Sequence, residues 1–432
     1  MNILRRIPRA LLLAFLALAL AQPAFAQKDK KKPNPYPNAT RQEPKQLDID
    51  ERTSKKINEA YDALDAGEMD KVEKALNEVL AKKPSKYEEA LAYQGLAQVH
   101  YDRDEIDQAI AMNQKALASN GLDNNSHFNL LYQIAQMQLM EERYDAALAS
   151  VEQWFKVSGA TDKSDAWALK GNALYRLDRF PEAAEAMKKA ISLTDKPSDS
   201  LYQILIASYY DAENYPEAAK AAEQILAKDP GNKATLQQLS SIYLEMEQND
   251  KAIALLENAY QKGVLSEEKD LKQLYQLYNY TEKPEQAARI ISEGMAKGIL
   301  KPSVDTHKGL ADAYALQAEP LGEESAERKA LLQKAADAYG EAAKLSPSDG
   351  ELDMQRGHLL IEMERWADAR TALTAALAKQ NLKRQGEALV LLGTAEYELG
   401  NEKAAIAAYQ KAQAFPSTKS MADAWLKSVR GR

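Results

Sequence analysis

An alanine returns at nearly constant intervals along this chain, and that periodicity restricts the possible fold more than any other feature. The position is Val72 in its first occurrence, then Ala109, Ala147, Ala183, Ala218, Ala252, Ala287, Ala335, Ala369 and Ala405. Successive intervals are 37, 38, 36, 35, 34, 35, 48, 34 and 36 residues. An apolar residue follows after four positions, except after Ala109, where Asn113 stands, and a small or apolar one after seven. Upstream lies a second column of small residues, at Ala60, Ala97, Ala135, Gly171, Ser240, Ala311, Gly357 and Gly393. It stands twelve positions before its alanine except across the one long interval. Two antiparallel helices can cross closely only where both side chains are small, so the pattern describes a stack of helical hairpins. Ile206 and Tyr275 break the small column, and helix contacts there are expected to be wider or rearranged. Helix-breaking residues are few, with 18 Gly and 16 Pro in 432 residues. Ala, Leu, Glu, Lys and Gln, which lose least on entering a helix, dominate. The fold class expected is all-α: an α-solenoid of about ten hairpins, closed by a C-terminal capping helix.

Punctuation places the hairpins. Pro181 and Pro216 fall where second helices begin, a position whose amide needs no intrahelical partner. Gly263 and Gly298 read as helix C-terminal stops. The repeats run approximately over residues 53–86, 88–122, 127–160, 164–197, 199–232, 233–266, 268–301, 304–347, 350–383 and 386–416. The eighth is longer by about twelve residues, interrupted by Glu319-Pro320-Leu321-Gly322 before a helix resumes at about Glu324. Aromatic side chains at Trp167, Phe180, Tyr202, Tyr215 and Trp366 are expected to fill the space between hairpins. Residues 417–432 form the capping helix, with Met421, Trp425, Leu426 and Val429 inward and Lys427, Arg430 and Arg432 outward.

The spacing and residue pattern over Thr53 to Pro416 resembles the tetratricopeptide repeat family, whose unit is 34 residues. The resemblance implies a right-handed superhelix whose first helices line a concave groove that binds proteins or extended peptides. A narrower likeness lies in Ala259-Tyr260-Gln261-Lys262-Gly263-Val264-Leu265, in Leu271 to Tyr278, in Ala287 to Leu300, and in the entry stretch Arg52 to Leu80. These segments are similar to the periplasmic repeat proteins encoded beside TonB–ExbB–ExbD systems. That likeness implies an accessory of outer-membrane uptake, with periplasmic regions of TonB or ExbD as partners. A scaffold for envelope polysaccharide or outer-membrane protein assembly is the alternative from the same binding class.

The first 26 residues read as an export signal. Arg5, Arg6 and Arg9 precede an apolar run of eleven from Ala10 to Leu20, and Ala24-Phe25-Ala26 supplies a small-x-small cleavage pattern before Gln27. Eleven apolar residues are too few for a bilayer-spanning helix, which needs roughly 20. No other stretch approaches that length, so a periplasmic location with no membrane span in the mature chain is expected. Residues 27–52 combine Lys28, Lys30, Lys31 and Lys32 with Pro33, Pro35, Pro37 and Pro44, and carry hardly any large apolar side chains. They are expected to be a flexible leader.

Chemistry is excluded on several counts. There is no cysteine, which removes disulfides, thiolate metal sites and thiol nucleophiles. The formal charge is −8, and losing the three signal arginines takes it to −11, a poor match for nucleic acid. His100, His127, His307 and His358 show no metal-ligand spacing among themselves, and no catalytic or phosphate-binding motif occurs. Neither catalytic residues, nor a metal, nor a cofactor are expected, and the chain reads as non-enzymatic. What remains is the groove. Counted from the small residue of each first helix, the groove positions are Gln94, Gln98, Tyr101, Tyr132, Gln136, Asn172, Tyr175, Gln203, Tyr210, Gln237, Lys272, Gln276 and Asn279. Leu139, Ala207, Ser241 and Leu244 complete the series. Amides and phenols pair with a peptide backbone, and rings add contact area at low entropic cost. The basic pair of the carboxylate-clamp subset is echoed only by Lys272 and Asn279, so that activity is not carried over.

Overall fold

The computed structural model describes residues 34–44 and 50–430; the expected signal peptide lies outside them. Twenty-one α-helices and no strand occur among the described residues. They fall into two compact units dividing between Met246 and Glu247. The first unit holds α1 (Glu51–Asp65), α2 (Met69–Ala81), α3 (Lys86–Asp102), α4 (Ile106–Ala118), α5 (Asn124–Met140), α6 (Tyr144–Ser158), α7 (Ser164–Arg176), α8 (Phe180–Ser192), α9 (Asp199–Asp211), α10 (Tyr215–Lys228) and α11 (Lys233–Glu245). The second holds α12 (Asn249–Gln261), α13 (Glu268–Tyr280), α14 (Pro284–Ala296), α15 (Val304–Ala318), α16 (Ala326–Leu345), α17 (Gly350–Glu362), α18 (Trp366–Ala378), α19 (Gln385–Glu398), α20 (Glu402–Ala412) and α21 (Lys419–Arg430). Within each unit, helices pair as hairpins, and each second helix packs on the first helix of the next hairpin. This is an α-solenoid.

The alanine column forms the spine of each unit. Val72 and all nine alanines are at most 1% solvent-exposed. The facing column shows why its residues are small: a Cβ on Gly171 would meet the Met187 side chain at 2.8 Å, and one on Gly357 would meet Leu373 at 2.6 Å. Ile206 and Tyr275, where the small column is broken, are themselves buried within their hairpins (α9–α10 and α13–α14). Isolated helices of this length are marginal in water, so each draws its stability from the neighbours it is stacked on.

The first helices end alike. Beyond each, α15 excepted, lies one residue in the left-handed region, at Gly67, Asp104, Glu142, Asp178, Glu213, Glu247, Glu282, Glu364 and Gly400. The following amide bonds to the carbonyl five residues back, as in Arg179 N–H to Leu174 O at 3.0 Å and Asn214 N–H to Tyr209 O at 2.8 Å. This closes the last turn and frees the chain to reverse. Seven of these nine sites carry Asp or Glu rather than glycine. Pro181 and Pro216 sit in the first turns of α8 and α10, and Gly263 and Gly298 terminate α12 and α14 at φ +74 and +70, as expected. In the eighth repeat α15 stops at Ala318, Ser325 caps the next helix, and the extra length is divided between the connection over 319–325 and the 20 residues of α16. Further on, Lys379 ties three elements together: its ammonium lies 2.5 Å from the buried carboxylate of Asp353 and donates to the carbonyls of Ala343, Ser346 and Asp349.

Two expectations need correction. The capping helix α21 turns Ala422 and Leu426 inward with Trp425, whose ring stacks on Tyr409 at 4.0 Å, while Met421 is left exposed. Stacking the indole on the phenol rotates the helix so that Ala422 takes the place expected for Met421. The leader, expected to be flexible, is in part docked: Tyr36 is only 7% exposed and residues 34–44 lie against α5 and α6. One aromatic ring and one arginine provide contacts that the apolar count of the segment did not show.

Candidate binding face

The expected groove residues all lie on first helices. In the first unit they are carried by α3 (Gln94, Gln98, Tyr101), α5 (Tyr132, Gln136), α7 (Asn172, Tyr175), α9 (Gln203, Tyr210) and α11 (Gln237). Successive first helices in this unit touch directly, as α1 does α3, α5 does α7, and α7 does α9. Several of the residues make those contacts. The Tyr175 hydroxyl on α7 donates to Asp211 of α9 at 2.8 Å, and the Tyr210 hydroxyl on α9 donates to Glu245 of α11 at 3.1 Å. Gln203 donates to the Thr235 hydroxyl at 3.3 Å, joining α9 to α11. Burial first, then the accepting carboxylate, raises both phenols, with Tyr210 pushed up to about 12. They remain neutral donors at any ordinary pH.

The remaining members are less uniform. Gln98 is half-buried and donates to Asp102 of its own helix at 2.7 Å. Tyr101 packs beside the cluster of Ile106, Ile110, Ile134 and Met137, and the Tyr132 ring lies 6.1 Å from that of Trp154. Gln94 is half-buried, Gln136 is buried, and the Gln237 carbonyl accepts from Ser241 at 3.1 Å. Asn172 is 4% exposed, and its side-chain oxygen has no hydrogen-bond partner. In the second unit Gln276 is exposed, Asn279 keeps an unpartnered buried oxygen, and Lys272 is paired with Glu268 one turn back at 2.8 Å. That pairing occupies the one cation that echoed a carboxylate clamp.

Sequence reasoning missed the acceptors, Asp211, Glu245 and Thr235, which stand one repeat away from their donors. It also missed a polar network in the second unit, where Glu257 of α12 accepts from Tyr278 at 2.5 Å and from Arg289 at 2.8 Å. Spacing of about 35 residues between partners is visible only once the repeat register is known. Among the described residues no group of His, Asp and Glu could hold a metal ion, and no helix is long and apolar enough to cross a membrane.

Repeat-family models match three stretches with this geometry: residues 128–200 and 354–418 match one tetratricopeptide repeat model, and residues 209–262 match a second. These stretches are tetratricopeptide repeats. Repeats of this family serve as protein-interaction scaffolds, generally without catalytic function. No curated protein matches the sequence. Among solved structures, a tetratricopeptide repeat protein from Parabacteroides merdae is 13% identical, with 73% of this chain and all of that one covered at a TM-score of 0.38. MamA is 20% identical over 41% of this chain and 92% of its own, at 0.36. YrrB, described as a tetratricopeptide repeat protein with an unusual peptide-binding site, is 20% identical over 40% and 85%, at 0.34.

Proposed function

We propose that this chain is an exported periplasmic scaffold whose first-helix face holds an extended segment of a partner protein, in support of a TonB-dependent uptake system. The observation that carries the binding reading is the row of amides and phenols on α7, α9 and α11. Tyr175, Gln203 and Tyr210 are fixed by bonds from one repeat to the next, and so present an ordered polar surface. Ordered side chains lose little further entropy on binding. The periplasmic assignment rests on the N-terminal Arg5 to Ala26 pattern. The TonB assignment rests on the likeness carried by Ala259 to Leu265 and Leu271 to Tyr278. Envelope assembly remains the second reading, since it calls on the same face.

The test is site-specific photo-crosslinking in cells, from a benzophenone amino acid placed at Tyr175 or Tyr210, followed by mass spectrometry of the adducts. Periplasmic segments of TonB or ExbD are the expected adducts. Envelope-assembly proteins in their place would transfer the function to the second reading. Adducts from a second-helix control at Lys188, with none from Tyr175 or Tyr210, would remove the binding role from this face.

A further inference from the structure

Residues 34–44 make contacts of a kind that a recognition site makes with a peptide. The Tyr36 ring enters a slot between Phe128, at 4.8 Å between ring centroids, and Trp154, at 6.2 Å, meeting both edge-on. Four residues on, the Thr40 amide donates to Val157 O at 3.0 Å and its hydroxyl to Lys156 O at 3.2 Å, at the C-terminal end of α6. The next side chain, Arg41, spreads its guanidinium over three acceptors: Asn124 Oδ1 at 2.7 Å, Asn120 Oδ1 at 2.8 Å and Leu122 O at 2.9 Å. Asn124 returns a bond from its amide to Arg41 O at 3.3 Å. A ring pocket, a main-chain contact and a forked cation site are therefore set out along one short segment, which turns at Pro37-Asn38 with the Ala39 amide donating to Tyr36 O at 3.3 Å.

The receiving surface is shaped to that segment. Gly159 stands at φ +63, and a Cβ there would sit 2.2 Å from Asn38 O, so no other residue fits under the passing backbone. Phe128 and Leu122, which floor the site, are at most 1% exposed. All of this lies at the inter-repeat loops beside α5 and α6, whereas the face formed by Tyr175, Gln203 and Tyr210 lies on α7 and α9.

We propose that this corner is a second peptide-binding site, filled in cis by residues 34–44. Its ligand class is a peptide carrying an aromatic ring, a turn directly after it and, five residues beyond the ring, an arginine. A ligand tethered to its own site competes at an effective concentration in the millimolar range, so a free peptide gains access only where the strap is weakened.

The experiment uses the full chain carrying Tyr36→Ala and Arg41→Ala, with circular dichroism to verify helix content, and a fluorescein-labelled synthetic peptide spanning residues 34–44. The expected result is saturable binding to the double variant, at least about ten-fold tighter than to the unmodified chain. Alanine in place of the peptide's tyrosine should abolish it. A second chain carrying only Thr40→Pro, which removes the strap's amide donor and leaves the helices untouched, should also gain affinity for the peptide. The proposal is overturned if the peptide binds neither variant, if it binds the unmodified chain equally well, or if the tyrosine-free peptide binds as tightly as the parent.

Discussion

At Ala218 a single methyl group fills the crossing of α9 and α10 with no solvent access. Ala218→Leu should therefore overpack the hairpin and cost about 1–3 kcal/mol in urea denaturation. Gln203→Ala, which loses one long hydrogen bond on a half-buried face, should change stability by less than about 0.5 kcal/mol. Equal effects from the two would mean that the register of the repeat is misassigned. His127 gives a residue-scale prediction of another kind. Burial first and the Arg41 guanidinium second push its value down from 6.5 to about 4, against the opposing pull of Asp123. Glu43 also acts on Arg41 from within the strap. A depressed histidine leaves stability intact above pH 6.5. Between 6.5 and about 4 the unfolded chain takes up the proton first, and stability falls. The urea midpoint should drop more from pH 7 to pH 5 in the parent than in His127→Gln; equal drops would show that His127 does not couple to folding. The alanines were legible in the sequence because one packing constraint repeats ten times. His127 and its partner Arg41 were not, since 86 residues separate them and nothing local links them.

All hairpins but the eighth reverse just beyond a left-handed residue, and in seven of them an acidic residue occupies that position, which usually goes to glycine. A side chain costs about 1–2 kcal/mol in that conformation relative to glycine, part of which glycine returns through its freer unfolded state. Glu213→Gly should thus stabilise the chain by roughly 0.5–1 kcal/mol, and Glu213→Val should destabilise it, both read from denaturation midpoints. Loss of stability in the glycine variant would point to a role for the carboxylate itself. The sequence marked the turns only where Gly263, Gly298, Pro181 and Pro216 stood, because an acidic residue is no signal of positive φ. The lengthened eighth repeat was legible as an interval of 48 residues, but the interval alone could not divide the extra length between the 319–325 connection and α16. In α21 the periodicity named the right helix and misplaced one residue of its buried face, since Ala422 carries too little hydrophobicity to compete with Met421 on paper.

On the scale of the whole chain, charge is abundant and mostly solvated. Pairs such as Arg179–Glu182, Lys188–Glu185 and Lys344–Glu341 lie on exposed helix faces, where ion pairs contribute little and salt screens them. Thermal unfolding should accordingly move by no more than a few degrees between low and moderate ionic strength. A large fall with salt would assign the surface network a structural part that its exposure does not suggest. The solenoid class was readable from the sequence because repetition carries the same information many times. The strap was not, because it is made once, by Tyr36 and Arg41 against α5, α6 and the loop before α5, more than 75 residues away. It also changes where load enters the molecule. Tension applied at the N-terminal end meets the array at Phe128, Leu122 and Val157 before it can reach Glu51. Under such a pull the third hairpin bears the strain, and the first two stay slack until the Tyr36 ring tears out of its slot.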